Sequence, residues 1–366
     1  MTELVNKLLA ENLKALKPYE SARRLFSAAD SAQDQVWLNA NESPFTNSYE
    51  VDPSHFNRYP DCQPPAVVKA YAKYAGIKTE QILVSRGADE GIELLTRTFC
   101  IPGQDNILIC PPTYGMYAIS AETCNVGIEK APLLKDFSLD IPAICAFKGK
   151  VNLVFICSPN NPTGTSVKRD QLQQVIEHFA DSALVVVDEA YIEFDLANNW
   201  AMQLAQYPNL VILRTLSKAF ALAGLRCGFT LAAADIIGAL MKVIAPYPVP
   251  EPVAQIAAQA LSQHGIRQMS QQVLCIKAEK SKIKQGLARI AEIELVGDDK
   301  ANFILFRYPQ KQALMDYLLS NGILIRDQSK QLNLDNCLRI TVGSTPQNEQ
   351  LLANIVSFFA QQEKTA

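Results

Sequence analysis

Six short apolar runs recur between positions 81 and 231: Gln81–Val84, Ile107–Cys110, Leu153–Cys157, Leu184–Val187, Val211–Leu213 and Phe229–Leu231. They are continuous rather than alternating, the pattern of strands buried on both faces. The segments between them carry a helical period. Leu172, Val175, Ile176 and Phe179 fall at i, i+3, i+4 and i+7, and Ile92, Leu95 and Phe99 repeat in the same way. Strand and helix in alternation predict an α/β fold with a mostly parallel central sheet flanked by helices.

The character changes at Ala245–Pro252, where four prolines fall within eight residues. Such a segment reads as an extended loop. Beyond it lies a long helical stretch through Ile276, Ile283, Leu287 and Ile290, then the apolar segments Asn302–Phe306, Gly322–Arg326 and Leu338–Val342. The last helix is expected to open at Thr345-Pro346 and to bury Leu351, Leu352, Ile355, Phe358 and Phe359. The 366 residues thus divide into a large domain, 49–262, and a smaller α+β domain formed by 1–48 with 263–366.

A net charge of −3 gives no electrostatic reason to expect nucleic acid or an anionic membrane as partner. The nine cysteines include no C-x-x-C pair and read as reduced thiols, which points to a cytoplasmic protein. Residues 1–16 place Val5, Leu8, Leu9 and Leu16 at helical spacing, but with Glu3, Glu11 and no arginine they resemble neither a secretory signal nor a transit peptide. No apolar run has the length of a membrane span. His55, His178 and His264 are scattered, and no group of residues has metal-ligand spacing, so no metal is expected. His178 falls off its helix's apolar stripe and is expected in solvent, and Cys227 has no nearby base and reads as packing.

Ligands of parallel α/β sheets bind beyond the carboxyl ends of the strands. Three successive strand candidates here run into Ser158–Gly164, which presents Asn161, into Asp188–Tyr191, and into Arg214–Lys218. A fourth runs into Ser85–Gly91, where a glycine precedes a helix start, a plausible anion site of backbone N–H groups. Walker spacing and G-x-G-x-x-G are absent, so neither a nucleoside triphosphate nor a dinucleotide is implied. Lys218 sits among apolar residues, which disfavours its ammonium form and leaves an amine able to condense with a carbonyl. Each residue alone has a plainer role: Asn161 could shape its turn, Asp188 could cap the segment after it, Tyr191 could be core, and Ser217 could cap a helix. Their convergence at adjacent strand ends favours a site.

Ser158–Gly164, Asp188–Tyr191 and Ser217-Lys218 with Arg226 together resemble the signature of fold-type I pyridoxal-phosphate (PLP) aminotransferases, with Lys218 30 residues after Asp188 and Arg226 8 after Lys218. Leu38–Glu42, Arg58–Asp61, Ser85–Glu90, Pro111–Tyr117 and Cys337–Gly343 extend the likeness to the histidinol-phosphate branch of that family. The resemblance implies a large PLP-binding domain and a smaller one, with Lys218 as the lysine that bonds to the cofactor and moves the proton. It implies that Asp188 keeps the pyridine nitrogen protonated, that Asn161 and Tyr191 hydrogen-bond the ring oxygen, and that Tyr114 stacks on the ring. Ser217, Arg226 and the N–H groups of Ala88 and Asp89 would hold the phosphate, and Tyr59 would reach it from the partner of a homodimer.

Arg339 shares one strand face with Thr341, while Leu338, Ile340 and Val342 share the other. A surface ion pair is the common fate of an arginine. The resemblance implies instead that Arg339 binds a substrate anion, and that Arg326 and Tyr19 contact a substrate phosphate. It implies a reversible exchange of histidinol phosphate and 2-oxoglutarate for imidazole acetol phosphate and glutamate, in histidine biosynthesis. The alternative is a related PLP aminotransferase acting mainly on aromatic amino acids.

Overall fold

The computed structural model describes residues 2–14, 16 and 35–365. In chain order the strands are β1 (Val36–Trp37), β2 (Ile82–Ser85), β3 (Asn106–Ile109), β4 (Gly127–Lys130), β5 (Leu153–Cys157), β6 (Leu184–Asp188), β7 (Leu210–Thr215), β8 (Gly228–Leu231), β9 (Glu294–Val296), β10 (Phe303–Arg307), β11 (Ile323–Leu324), β12 (Arg326–Asp327) and β13 (Cys337–Thr341). Seven of them form one sheet in the order β2-β8-β7-β6-β5-β3-β4. All its pairings are parallel except those of β8, which runs against both β2 and β7.

The six expected strands are all present. The central ones carry no polar face, and every residue of β5 and β7 is buried. β4 escaped sequence reading because it is an edge strand whose Gly-Ile-Glu-Lys is only partly buried. Helices cover both faces, among them Ala88–Phe99 and Arg169–His178, and the latter buries Leu172, Val175 and Ile176. His178 is half-buried rather than in open solvent, and its Nε2 lies 3.1 Å from the Cys145 carbonyl oxygen.

The extended loop ends at Pro250, because Glu251 and Pro252 open the helix Glu251–Ala260, and proline is tolerated in a first turn where no N–H partner exists. The long helix Gln263–Leu287 follows. The remaining sheet is antiparallel, in the order β12-β13-β10-β9, and β1 pairs with β11 beside it. The last helix, Thr345–Thr365, is capped one residue earlier than expected: Ser344 Oγ accepts from the Gln347 N–H at 3.5 Å, while Gln347 Oε1 accepts from the Ser344 N–H at 2.9 Å. Near the amino terminus, two short helices, Glu3–Leu8 and Glu11–Lys14, bury no residue.

The parallel order β7-β6-β5 has a direct consequence for the site. The segments after these three strands emerge side by side at one sheet edge, and the turn between β2 and the helix Ala88–Phe99 emerges next to them across β8.

Candidate active site

A cavity of about 800 Å³ opens at that edge, between the carboxyl ends of the large sheet and the β12-β13 edge of the small one. Its lining includes Ala88, Asp89, Tyr114, Asn161, Asp188, Tyr191, Ser217, Lys218, Arg226, Arg326 and Arg339. One expected residue lies elsewhere, and one cannot be placed. Tyr59 is exposed, and its ring stacks on that of Tyr247 with centroids 4.4 Å apart. Tyr19 falls outside the described residues.

Asp188 ends β6 and is only 2% exposed. Its carboxylate accepts from the Tyr117 hydroxyl at 2.6 Å and from the Ala190 N–H at 3.0 Å. Burial pushes the carboxyl up to about 6 against the pull of these bonds. A carboxylate so poorly solvated favours a cationic partner on its open side.

Lys218 stands on the loop after β7, half-buried, with Nζ donating to the Ala40 carbonyl at 3.3 Å and lying 5.8 Å from the Tyr191 ring centroid. Burial, reinforced by the Arg339 guanidinium, lowers its amine to about 8. A substantial neutral fraction therefore exists near neutral pH, the form that attacks a carbonyl. No helix begins at Ser217, and the short 3-10 helix Ala223–Leu225 that follows has Leu222 at its start, so the Ser217 hydroxyl caps none. It accepts from Thr215 Oγ1 at 2.9 Å and from Arg226 Nη1 at 3.4 Å.

The far end of the cavity suits an anion. The helix Ala88–Phe99 begins after Gly87, at φ 84°, with no side-chain cap on its first N–H groups. Arg226 comes up beside it and donates to Asp89 Oδ2 at 3.2 Å. The backbones pack too closely here for a side chain: a Cβ on Gly228 would stand 2.4 Å from the Gly87 carbonyl carbon and 2.5 Å from the Ala88 nitrogen. Tyr114 holds the other Asp89 oxygen at 2.9 Å.

The opposite wall comes from the small sheet. Arg326 and Arg339 are directly paired in the β12·β13 ladder, so both project from the same face, toward the cavity. Arg339 is 7% exposed, donates to Asn161 Oδ1 at 2.5 Å and to the Asn39 carbonyl at 3.0 Å, and lies over the Phe303 ring. Leu338, Ile340 and Val342 are buried on the other face, as the alternation requires.

Four residues of this arrangement carried no role in the sequence reading. Tyr117 sits on an apolar helix, where an aromatic residue reads as core. Asn41 donates to the Tyr191 hydroxyl at 2.9 Å and is itself held by Thr341 Oγ1. Glu189 and Arg214 form a buried ion pair at 2.7 Å behind the strand ends. Sequence alone offers no means of pairing such distant residues.

The residues present fit PLP. An uncapped helix start with an arginine and a serine matches its phosphate, a buried carboxylate matches a protonated pyridine nitrogen, and an amine of lowered pKa matches its carbonyl. Among the described residues, no cluster of three or more His, Cys, Asp or Glu suits a metal ion.

Comparison with known proteins agrees. The model of the aminotransferase class I and II family matches residues 26–355. The chain is 71% identical over 365 residues to the histidinol-phosphate aminotransferase of Pseudoalteromonas atlantica, covering 100% of this chain and 98% of that protein. It is 52% identical over 355 residues to the histidinol-phosphate aminotransferase of Vibrio cholerae, covering 97% and 100% of the two chains. The crystal structure of histidinol-phosphate aminotransferase from Sinorhizobium meliloti in complex with pyridoxal-5'-phosphate shares the fold, with a TM-score of 0.84 at 21% identity over 97% of this chain and 98% of that one. The chain belongs to the aminotransferase class I and II family and, within it, to the histidinol-phosphate aminotransferases.

Proposed function

We propose that this protein is a PLP-dependent transaminase of histidine biosynthesis, exchanging histidinol phosphate and 2-oxoglutarate for imidazole acetol phosphate and glutamate. The observation that carries this reading is the paired Arg326 and Arg339 opening onto the same cavity as Lys218. Both substrate pairs are anionic, one through a carboxylate and the other through a phosphate, and a guanidinium accepts either in bidentate fashion.

PLP, when bound, supplies a carbonyl carbon for amine exchange and a conjugated ring that accepts electrons from the substrate carbon. Lys218 would hold it, and its free Nζ would carry the proton lost from the amine-bearing carbon of the substrate. Asp188 keeps the ring nitrogen protonated, with Tyr117 fixing the carboxylate's direction. Asn161 and Tyr191 hydrogen-bond the ring oxygen, and Tyr114 covers the ring. Ser217, Arg226 and the N–H groups of Ala88 and Asp89 hold the phosphate. Arg339 orients the substrate anion next to Lys218, and Arg326 takes the substrate phosphate, with Tyr19 as a further contact.

The exposed Tyr59, outside its own chain's cavity, supports a homodimer in which it reaches the partner's phosphate site. The large domain spans 49–262, and 1–48 with 263–366 form the small one. Nine free thiols support a cytoplasmic setting. Among the described residues no helix is long and apolar enough to cross a membrane. The substrate assignment is tested by comparing kcat/KM for histidinol phosphate with that for phenylalanine and tyrosine as amino donors. Histidinol phosphate should be strongly preferred, and preference for an aromatic amino acid would overturn it.

A further inference from the structure

Lys280 lies on the helix Gln263–Leu287, outside the residues that line the active-site cavity, and is only 3% exposed. Its ammonium donates to the backbone carbonyls of Asp299 and Ala301. Burying an ammonium is costly unless it is paired, so a lysine here answers a need for a donor inside the protein. The two carbonyls belong to the loop between β9 and β10.

That loop reaches the active site by two arms. In the first, the N–H groups of Asp298 and Lys300 donate to the carbonyls of Thr163 and Gly164 at 2.9 and 3.0 Å. This clamps the turn that carries Asn161. In the second, Asn302 Nδ2 donates to the Asn41 carbonyl at 3.0 Å, and Asn41 Nδ2 donates to the Tyr191 hydroxyl at 2.9 Å. Loop and turn fit without slack. A Cβ on Gly164 would stand 2.4 Å from the Asp298 carbonyl oxygen, and one on Gly297 2.0 Å from the Thr163 carbonyl oxygen. The loop therefore cannot shift without moving the turn.

We infer that Lys280 is a positioning residue for the amino-transfer reaction: by holding the Asp299 and Ala301 carbonyls it sets the loop whose two arms place Asn161 and Tyr191 against the cofactor ring oxygen. The inference rests on the reading of the cavity as a PLP site. A purely structural lysine would have no reason to anchor both arms, and its loss would lower stability without changing how those two side chains meet the cofactor.

The test uses the holoenzyme with Lys280→Met, which keeps the length of the stem and removes the donor. The visible absorbance of the bound cofactor is titrated with pH, because hydrogen bonds to the ring oxygen set the midpoint of that titration. The midpoint is expected to shift by about half a unit or more, since two hydrogen bonds to a titrating system change. The kcat is expected to fall about tenfold, with the KM for glutamate little changed, as misplaced groups around the reacting atoms require. A folded Lys280→Met holoenzyme with the wild-type midpoint overturns the inference, whatever its kcat. Should that variant not fold, Lys280→Gln, whose shorter side chain and neutral amide cannot hold both carbonyls where the ammonium holds them, is titrated in the same way and read by the same criterion. Failure of both to fold assigns Lys280 to stability alone and also overturns it. Absence of the cofactor band in the wild type itself would instead overturn the PLP reading, so the two failures are distinct.

Discussion

Tyr117 and Asp188 are joined by a 2.6 Å hydrogen bond beneath the cavity, and both are almost completely buried. The Tyr117 ring is stacked on Phe155 with centroids 4.9 Å apart, so the hydroxyl has little freedom to swing away. With the Ala190 N–H on the other oxygen, the Asp188 carboxylate is fixed in direction before any ligand arrives. Tyr117→Phe keeps the packing and removes only this bond. The variant is expected to fold normally by circular dichroism and to lose about tenfold in kcat/KM, the scale of one charge-assisted hydrogen bond. Unchanged kcat/KM would deny Tyr117 its role.

The buried Asp188 has a second consequence, for the apo-protein. Its carboxyl stands raised to about 6 from an ordinary 3.8. Between those values the folded chain holds a proton that the unfolded chain releases. The stability this group contributes is therefore complete below pH 4 and is lost as pH rises through 6. Asp188→Asn has no proton to lose, so apo Asp188→Asn should gain on the wild type across that window, by on the order of 3 kcal/mol, and hold the gain above it. Denaturation of both apo-proteins between pH 4 and 8 measures this. A difference that does not vary with pH would contradict it.

Much of this site was legible in sequence because strand ends are legible. The runs before Asn161, Asp188 and Lys218 are continuous and apolar, and parallel neighbours deliver the segments after them to one edge. The small-sheet wall was half legible. Alternation along Leu338–Val342 separated Arg339 from its apolar neighbours, but only the ladder shows that Arg326 faces the same way. The interior supports were not legible. Tyr117 looks like core, Asn41 is one of many loop asparagines, and Lys280 lies in a helix with several surface lysines. Their roles depend on partners far off in the chain, 150 residues away between Asn41 and Tyr191 and 300 between Asn41 and Thr341.

Lys218 and Arg339 are electrostatically coupled. Burial lowers the Lys218 amine to about 8, and the Arg339 guanidinium is the next contributor in the same direction. Cofactor uptake by apo-protein should therefore rise with pH around that value, as the neutral amine appears. Arg339→Gln removes a cation, stabilises the ammonium form and should move the midpoint to higher pH. Stopped-flow uptake across pH 6 to 10 measures this, and a midpoint that stays put or falls would contradict the coupling.

The two arginines should also separate by substrate. Arg339→Ala is expected to weaken both glutamate and histidinol phosphate, by about a hundredfold or more in kcat/KM, because a buried charge-assisted pair is lost for each. Arg326→Ala should affect histidinol phosphate far more than glutamate, because only the former carries a phosphate. Equal losses for both substrates in Arg326→Ala would remove it from phosphate recognition.

The most direct measurement tracks the visible absorbance of the bound cofactor through one half-reaction at a time. Histidinol phosphate added alone should abolish the absorbance of the lysine-linked cofactor, 2-oxoglutarate should restore it with formation of glutamate, and Lys218→Ala should do neither at a measurable rate. A spectrum that histidinol phosphate leaves unchanged, or a Lys218→Ala protein that completes the cycle at the wild-type rate, would contradict the account.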